Sequence, residues 1–322
     1  MRDFADLARK ALHDSGYSMS AAARALNYDL AYLSRVLNGK QEPSAKLAEG
    51  LDGLVEAGGA LSALVLNEDD QSRISRSAKH PSRVDAATVS ALSGVLTAYR
   101  RLDDSVKPES VLPGSLAHMR EVTRMLKDAR GPYRDQLAEV VSQCIQFAGW
   151  MLAQVRRDDE AVRLLGDALE LADEIGNGTL AAQALNFKGY VARQQGRPQA
   201  VARWFSAAAY TPGAHPAQRL GDILQAAAGM AGVGEIDQAM HMVEEAEQLT
   251  DEAAALAPPE TAYWLTPEFN RLNFGLCTLA LGRYSEAVDH LTTGLAGLPA
   301  EFQGAPWTEE HRDALRKAKE SA

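Results

Sequence analysis

Four times in the second half of the chain an alanine stands at the start of a comparable helical pattern: Ala161 in DDEAVRLL, Ala200 in GRPQAVARW, Ala239 in GEIDQAMHMV and Ala287 in GRYSEAVDHL. Their spacings are 39, 39 and 48 residues. A glycine precedes three of them (Gly196, Gly234 and Gly282), where a chain must turn sharply between two helices. Each preceding stretch carries small or apolar residues at helical spacing: Ala184, Leu185, Gly189 and Ala192; Leu224, Ala227, Ala228 and Ala231; Leu276, Leu279 and Ala280. Paired helices of this kind leave apolar faces that they cannot bury alone, so they stack.

The rest of the chain is equally helical in character. Ala and Leu dominate the 46% of residues that are hydrophobic, and the β-branched and aromatic runs that mark strands are nearly absent, so an all-α fold is expected. At 322 residues there is room for two or three domains. No apolar stretch has the length of a membrane span, and the chain opens with Arg2, Asp3 and Asp6 rather than a signal sequence, which predicts a cytoplasmic protein. Cys144 and Cys277 lie far apart, each in an apolar helical pattern, and read as two buried free thiols rather than a disulfide.

The N-terminal stretch Ser18 to Ser44 implies a chemical task. Asp3 to Asp14 predicts a helix with Phe4, Leu7, Ala8, Ala11 and Leu12 on one face. Ser18 suits the N-cap of a second helix, whose Ala22, Ala23 and Leu26 make a narrow face of small and apolar residues, and Asn27 suits its stop. Asp29 then caps a third helix, Leu30 to Leu37, with Leu33 and Val36 inward, and Asn38-Gly39 ends it. Past Pro43, Ser44 caps a fourth, Lys46 to about Leu54, whose Leu47, Leu51, Leu54 and Val55 close a small core.

The alanine at 23, the turn at Asn27, the run Leu33-Ser34-Arg35-Val36, Asn38-Gly39-Lys40 and Pro43-Ser44 together resemble the lambda-repressor-like, or XRE, helix-turn-helix family over Met1 to Gly59. The resemblance implies that the third helix enters the major groove, with Leu30, Ala31, Tyr32, Ser34 and Arg35 at base edges. Arg35 can donate two hydrogen bonds to a guanine edge, while Leu30 and Ala31 can touch a thymine methyl. Ser18, Arg24, Asn38, Lys40 and Lys46 would hold phosphates. Met19 stands where the family usually has a polar residue facing the groove, often Gln, and Asn27 where Gly is common.

Net charge is −10, which suits a DNA binder only when it is divided along the chain. Residues 1–58 carry seven basic and eight acidic side chains, residues 59–83 four and three, and residues 84–322 twenty-two and thirty-two. A near-neutral N-terminal region implies a modest electrostatic contribution, so tight binding is expected of a dimer. Residues 67–83 include Arg73, Arg76, Lys79 and Arg83 with no acid after Asp70, which fits a flexible linker; tracking a phosphate backbone or minor groove is the other use of such a stretch. The expected organisation is therefore a DNA-binding domain at 1–66, a polar basic linker at 67–83, a helical connector at 84–132 and a repeat domain at 133–322, with helices at Val84 to Arg101, Ser115 to Ala129 and Tyr133 to Val155.

Within the repeat domain, LGRYSEAVDHLTTGL resembles the tetratricopeptide (TPR) family through Gly282, Tyr284, Ala287 and Leu291. That resemblance implies a curved helical array with a concave face for a peptide or protein segment; an irregular bundle used only for dimerisation is the other reading. An XRE domain followed by divergent TPR repeats is similar to the RRNPP-type regulators, which read a small signalling peptide. By that similarity Asn186, Asn270, Arg271 and Asn273 would line an effector groove. Trp150, Tyr190, Trp204 and Trp264 could line a pocket or pack in the core. No phosphate-cradling loop, zinc-ligand spacing or nucleophile motif is present, and the seven histidines show no ligand pairing, so no catalysis, cofactor or metal is expected. The expected function is a cytoplasmic, homodimeric transcriptional regulator, a repressor by the commoner mode, acting on a palindromic operator and sensing a peptide or other effector. The alternative is a TPR interaction adaptor without regulatory DNA readout.

Overall fold

The computed structural model describes residues 2–57, 59–65, 68–104 and 106–322, and among them the only regular structure is helical. The chain divides into two compact units, Met1–Arg156 and Arg157–Ala322. The expected domain boundary at 66/67 falls on Leu66 and Asn67, outside the described residues.

The first unit begins with α1 (Arg2–Asp14), α2 (Met19–Ala25), α3 (Leu30–Leu37) and α4 (Ala45–Leu54). The predicted caps form: Ser18 Oγ accepts from the Ala21 amide at 3.2 Å, Asp29 Oδ1 from the Tyr32 amide at 2.9 Å, and Ser44 Oγ from the Leu47 amide at 3.2 Å. Asn27 takes the left-handed conformation (φ 55°) that turns α2 into α3. Leu7, Ala8, Ala22, Leu33, Val36, Leu47 and Leu51 are buried, and α1 packs on α2, α3 and α4. A short helix α5 (Ala60–Ala63) is tied to α4 by the buried Asp52 carboxylate, which accepts from the Gly59 and Ser62 amides at 2.8 and 2.6 Å.

Residues expected to form a flexible linker are instead a helix, α6 (Glu68–Lys79), followed by a short 3-10 turn at Pro81–Arg83. Two side-chain contacts with the next helix, α7 (Ala86–Asp103), explain the difference: Ser77 and Thr88 share a buried hydrogen bond of 3.1 Å, and Arg73 pairs with Asp85 at 3.0 Å. Asp85 also caps α7 through the Thr88 amide, and the Thr88 hydroxyl and amide together with Arg73 hold its carboxyl below the usual range.

Helix α8 (Pro108–Asp128) starts two turns earlier than Ser115, with Pro108 in its first turn and Pro113 inside it. Proline lacks the N–H that would bond the carbonyl four residues back, which is that of Glu109. Lys10 of α1 donates to that carbonyl at 3.4 Å, and α1 packs on α8. The unit is completed by α9 (Arg134–Gln154), expected as the first helix of the repeat domain but belonging to the N-terminal unit. Its Trp150 indole and Gln154 amide donate at 2.7 and 2.8 Å to the buried Asp103 carboxyl. Burial drives that carboxyl up to about 7, opposed by Trp150, raised further by Asp104 and opposed again by Gln154.

The second unit contains α10 (Asp158–Glu174), α11 (Gly178–Gln194), α12 (Pro198–Ala209), α13 (Pro216–Gly232), α14 (Ile236–Ala255), α15 (Pro267–Ala280), α16 (Tyr284–Gly297), the short α17 (Ala300–Gln303) and α18 (Glu309–Ser321). Each helix from α10 to α14 packs on the next; α15 then packs on α13, α16 on α15, and α18 on both α15 and α16. Ala161, Ala239 and Ala287, three of the four recurring alanines, are fully buried. Gly196, Gly234 and Gly282 have positive φ (65°, 89° and 73°), two residues before α12, α14 and α16. Arg156 occupies the corresponding place before α10 with φ 61°. The main core joins Phe205, Leu224, Ala227, Ala239 and Val243, and a second cluster joins Leu272, Leu291, Leu298 and Phe302.

Candidate functional site

In the N-terminal unit the spacing of Leu33, Val36 and Leu37, all buried, fixes which side of α3 faces outward. Leu30, at 45% exposure, Ala31 and Arg35 lie on the open side, and Ser34 is half-buried beside them. Arg35 Nε donates to Gln41 Oε1 at 2.9 Å, a bond that orients the guanidinium from the loop following α3. Tyr32 is more embedded than a groove residue: its ring stacks on Tyr28 (5.7 Å), and its hydroxyl accepts from the Ser44 amide at 3.4 Å, linking α3 to the start of α4.

Among the residues expected at phosphates, Lys40 and Lys46 are exposed, and Ser18 is exposed with its oxygen engaged in capping α2. Arg24 donates to the Ser20 carbonyl within α2 at 3.3 Å. Asn38 is internally committed, donating to the Ser34 carbonyl at 2.7 Å and the Ser34 hydroxyl at 3.3 Å and accepting from Arg9 at 3.4 Å. It braces the end of α3 against α1.

In the C-terminal unit three of the four expected groove residues come together and the fourth does not. Asn270 and Asn273 of α15 are 4% and 3% exposed and face α13 rather than an open groove. Asn270 donates to the Ala217 carbonyl at 3.2 Å, Asn273 donates to Asn270 at 3.3 Å, and Gln225 of α13 donates to Asn273 Oδ1 at 2.6 Å. Gln225 in turn accepts from Arg193 of α11 at 2.5 Å. Asn186, half-buried on α11, donates to Asp222 of α13 at 2.5 Å. Arg271 is exposed on the other side of α15. The contacts advance in the same order along all three helices, so α11, α13 and α15 run in one direction with a polar lattice between them.

Sequence reasoning missed the centre of this lattice. Gln218, Asp222 and Gln225 recur at helical spacing on α13, whose other residues apart from Pro216, Arg219 and Met230 are Ala, Leu, Ile and Gly, and that pattern was the available signal. It missed the closure as well: Arg193 pairs with Glu310 of α18 through two contacts of 2.8 and 2.9 Å. Burial pushes the Glu310 carboxyl up, but the charges of Arg193 and His311 outweigh this and hold it below the usual range.

The aromatic residues divide among roles. Trp150 serves Asp103, Trp204 lies between Lys188 and Arg203 (5.0 and 4.2 Å from the ring centre), and Trp264 stacks on Phe187 at 6.3 Å. Tyr190 accepts from Gln194 at 2.8 Å and lies under Arg193. Both cysteines are buried free thiols that burial raises to about 12, an inert form. Among the described residues no three His, Cys, Asp or Glu side chains are placed to hold a metal ion, and no helix is long and apolar enough to cross a membrane.

No protein-family model matches the chain, and no curated protein matches it.

Proposed function

We propose that the protein is a sequence-specific DNA-binding regulator in which α2 and α3 form a helix-turn-helix and the C-terminal unit is a TPR-like array that dimerises the chain and receives an effector. The observation that carries the reading is the outward face of α3. It combines exposed apolar side chains, Leu30 and Ala31, with an oriented guanidinium, Arg35, on a short helix whose opposite side is fully buried. A surface that offers methyl contact and paired N–H donors side by side suits the major groove, where thymine methyls and guanine edges are read together. Lys40 and Lys46 on the flanking segments supply charge for the phosphates, while Asn38 and Tyr32 support the frame that holds α3.

Two-fold pairing of such units would set two copies of α3 about 34 Å apart, one turn of DNA, over a palindrome. An effector acts on such a dimer only through its differential affinity for the DNA-competent arrangement. Repression follows where the operator overlaps a promoter.

The test is selection of genomic DNA by the full-length protein, followed by binding measurements on the enriched site with Arg35→Ala and Ser34→Ala combined. Loss of about 1–3 kcal/mol of sequence discrimination is expected from the arginine. Undiminished site preference in a folded double variant refutes the recognition-helix assignment. Absence of any enriched site favours the adaptor reading.

A further inference from the structure

Arg35 is carried outward by α3, but the direction its guanidinium takes is set from outside that helix. Gly39 adopts φ 67° just past the end of α3, its amide donates to the Val36 carbonyl at 2.9 Å, and the Lys40 amide donates to the Arg35 carbonyl at 2.8 Å. This left-handed stop folds the chain back over the last turn of the helix. It is anchored by Asn38, which donates to the Ser34 carbonyl at 2.7 Å and accepts from Arg9 at 3.4 Å. Gln41, the next residue after the stop, thereby comes beside Arg35, six positions earlier, and its Oε1 accepts from Arg35 Nε at 2.9 Å. Both side chains are exposed, and among the described residues Arg35 has no ion-pair partner, although Glu42 adjoins Gln41.

A guanidinium has two kinds of flat edge that carry a pair of parallel N–H groups: the side edge, Nε with one Nη, and the end edge, Nη1 with Nη2. Either can bond O6 and N7 of a guanine, so an untethered arginine has two ways of reading and the rotamer freedom of a long side chain still to lose. The bond to Gln41 uses Nε and takes the side edge out of play. The end edge stays open. The neutrality of Gln41 matters as well: a carboxylate in its place would bond Nε and one Nη together and cancel the charge. Here the amide oxygen engages Nε alone and leaves the full positive charge for the groove. We propose that Gln41 is a specificity-determining positioning residue, which holds Arg35 so that Nη1 and Nη2 meet a guanine edge together, and which acts through Arg35 rather than by touching a base itself.

This proposal rests on the reading of α3 as the recognition helix, and the experiment separates the two. The probes are synthetic duplexes of the site that the full-length protein enriches from genomic DNA, with the base pairs replaced in turn. Dissociation constants are measured on each duplex at several salt concentrations for full-length wild type, Gln41→Met, Arg35→Ala and the double variant. Gln41→Met keeps the length of the side chain and removes the acceptor. It is expected to lose about three- to tenfold of the preference for guanine at the same base pair at which Arg35→Ala loses preference. Preference at the other base pairs and the salt dependence should stay as in the wild type, since no phosphate contact is removed. Added to Arg35→Ala, Gln41→Met should change nothing further.

Unchanged guanine preference in Gln41→Met, where Arg35→Ala loses it, overturns the proposal and leaves the recognition helix standing. A further loss on adding Gln41→Met to Arg35→Ala overturns it too, because Gln41 would then meet the DNA directly. So does a loss spread evenly over all base pairs, the mark of a general loosening of α3. Site preference indifferent to Arg35→Ala, or no enriched site, removes the recognition-helix reading and this proposal together.

Discussion

Replacing Asp103 by Asn isolates a buried carboxyl whose ionisation the fold opposes. An asparagine oxygen in the Oδ2 position keeps the contacts from the Trp150 indole (2.7 Å) and the Gln154 amide (3.0 Å) and gives up the 2.8 Å contact of Gln154 to Oδ1, at almost unchanged size. The difference lies in charge. In the unfolded chain the acid ionises near 3.8; in the folded unit burial raises it to about 7. Between those values the folded state binds a proton that the unfolded state has lost. Stability is therefore fully present below the lower value and falls as pH rises through the upper one. Each pH unit in that window removes about 1.4 kcal/mol, about 4 kcal/mol in all. The stability difference between Asp103→Asn and the wild type should therefore shift in the variant's favour by about 4 kcal/mol between pH ~4 and pH ~8. Native-state hydrogen exchange of the α9 amides in the full chain reads the opening free energy of this unit, and the difference between the two proteins cancels every other titrating group. A wild-type-to-variant difference that does not change with pH refutes the assignment of a neutral acid at this position.

Two further substitutions test the backbone and the packing. Arg156 adopts φ 61° where the corresponding turns carry Gly196, Gly234 and Gly282. Arg156→Gly should therefore melt higher than Arg156→Ala by an amount equivalent to about 1 kcal/mol, since both lose the side chain and only one relieves the left-handed strain. A Cβ added at Gly229 would lie 2.5 Å from the Ala202 nitrogen, whereas one at Gly94, inside α7, meets nothing within 4 Å. Gly229→Ala should cost about 1–3 kcal/mol by overpacking and Gly94→Ala should gain about 0.5–1 kcal/mol by helix propensity, both measurable by chemical denaturation.

What could be read from the sequence was what local chemistry determines. Ser18, Asp29 and Ser44 cap helices because a hydroxyl or carboxylate before an apolar periodic run has one backbone use, and Asn27 turns because few residues accept its conformation. The misreadings share the opposite origin. Residues 68–79 looked like a linker because they are polar, yet Ser77 finds Thr88 and Arg73 finds Asp85, partners that composition cannot supply. Asn270, Arg271 and Asn273 were expected in one groove with Asn186, but adjacent positions such as 270 and 271 do not share a helix face, and whether the face of Asn270 and Asn273 meets a groove or a neighbouring helix depends on Gln225, 48 residues from Asn273.

The ion pair between Arg193 and Glu310 spans 117 residues, while most neighbouring helices in that unit are adjacent in the chain. Local helix pairs can form as they leave the ribosome, but this closure must wait until α18 has been made. Until then the Arg193 guanidinium lacks its carboxylate partner. The Arg193–Glu310 pair is thus the non-local element of a unit otherwise built mostly from contacts between helices adjacent in the chain.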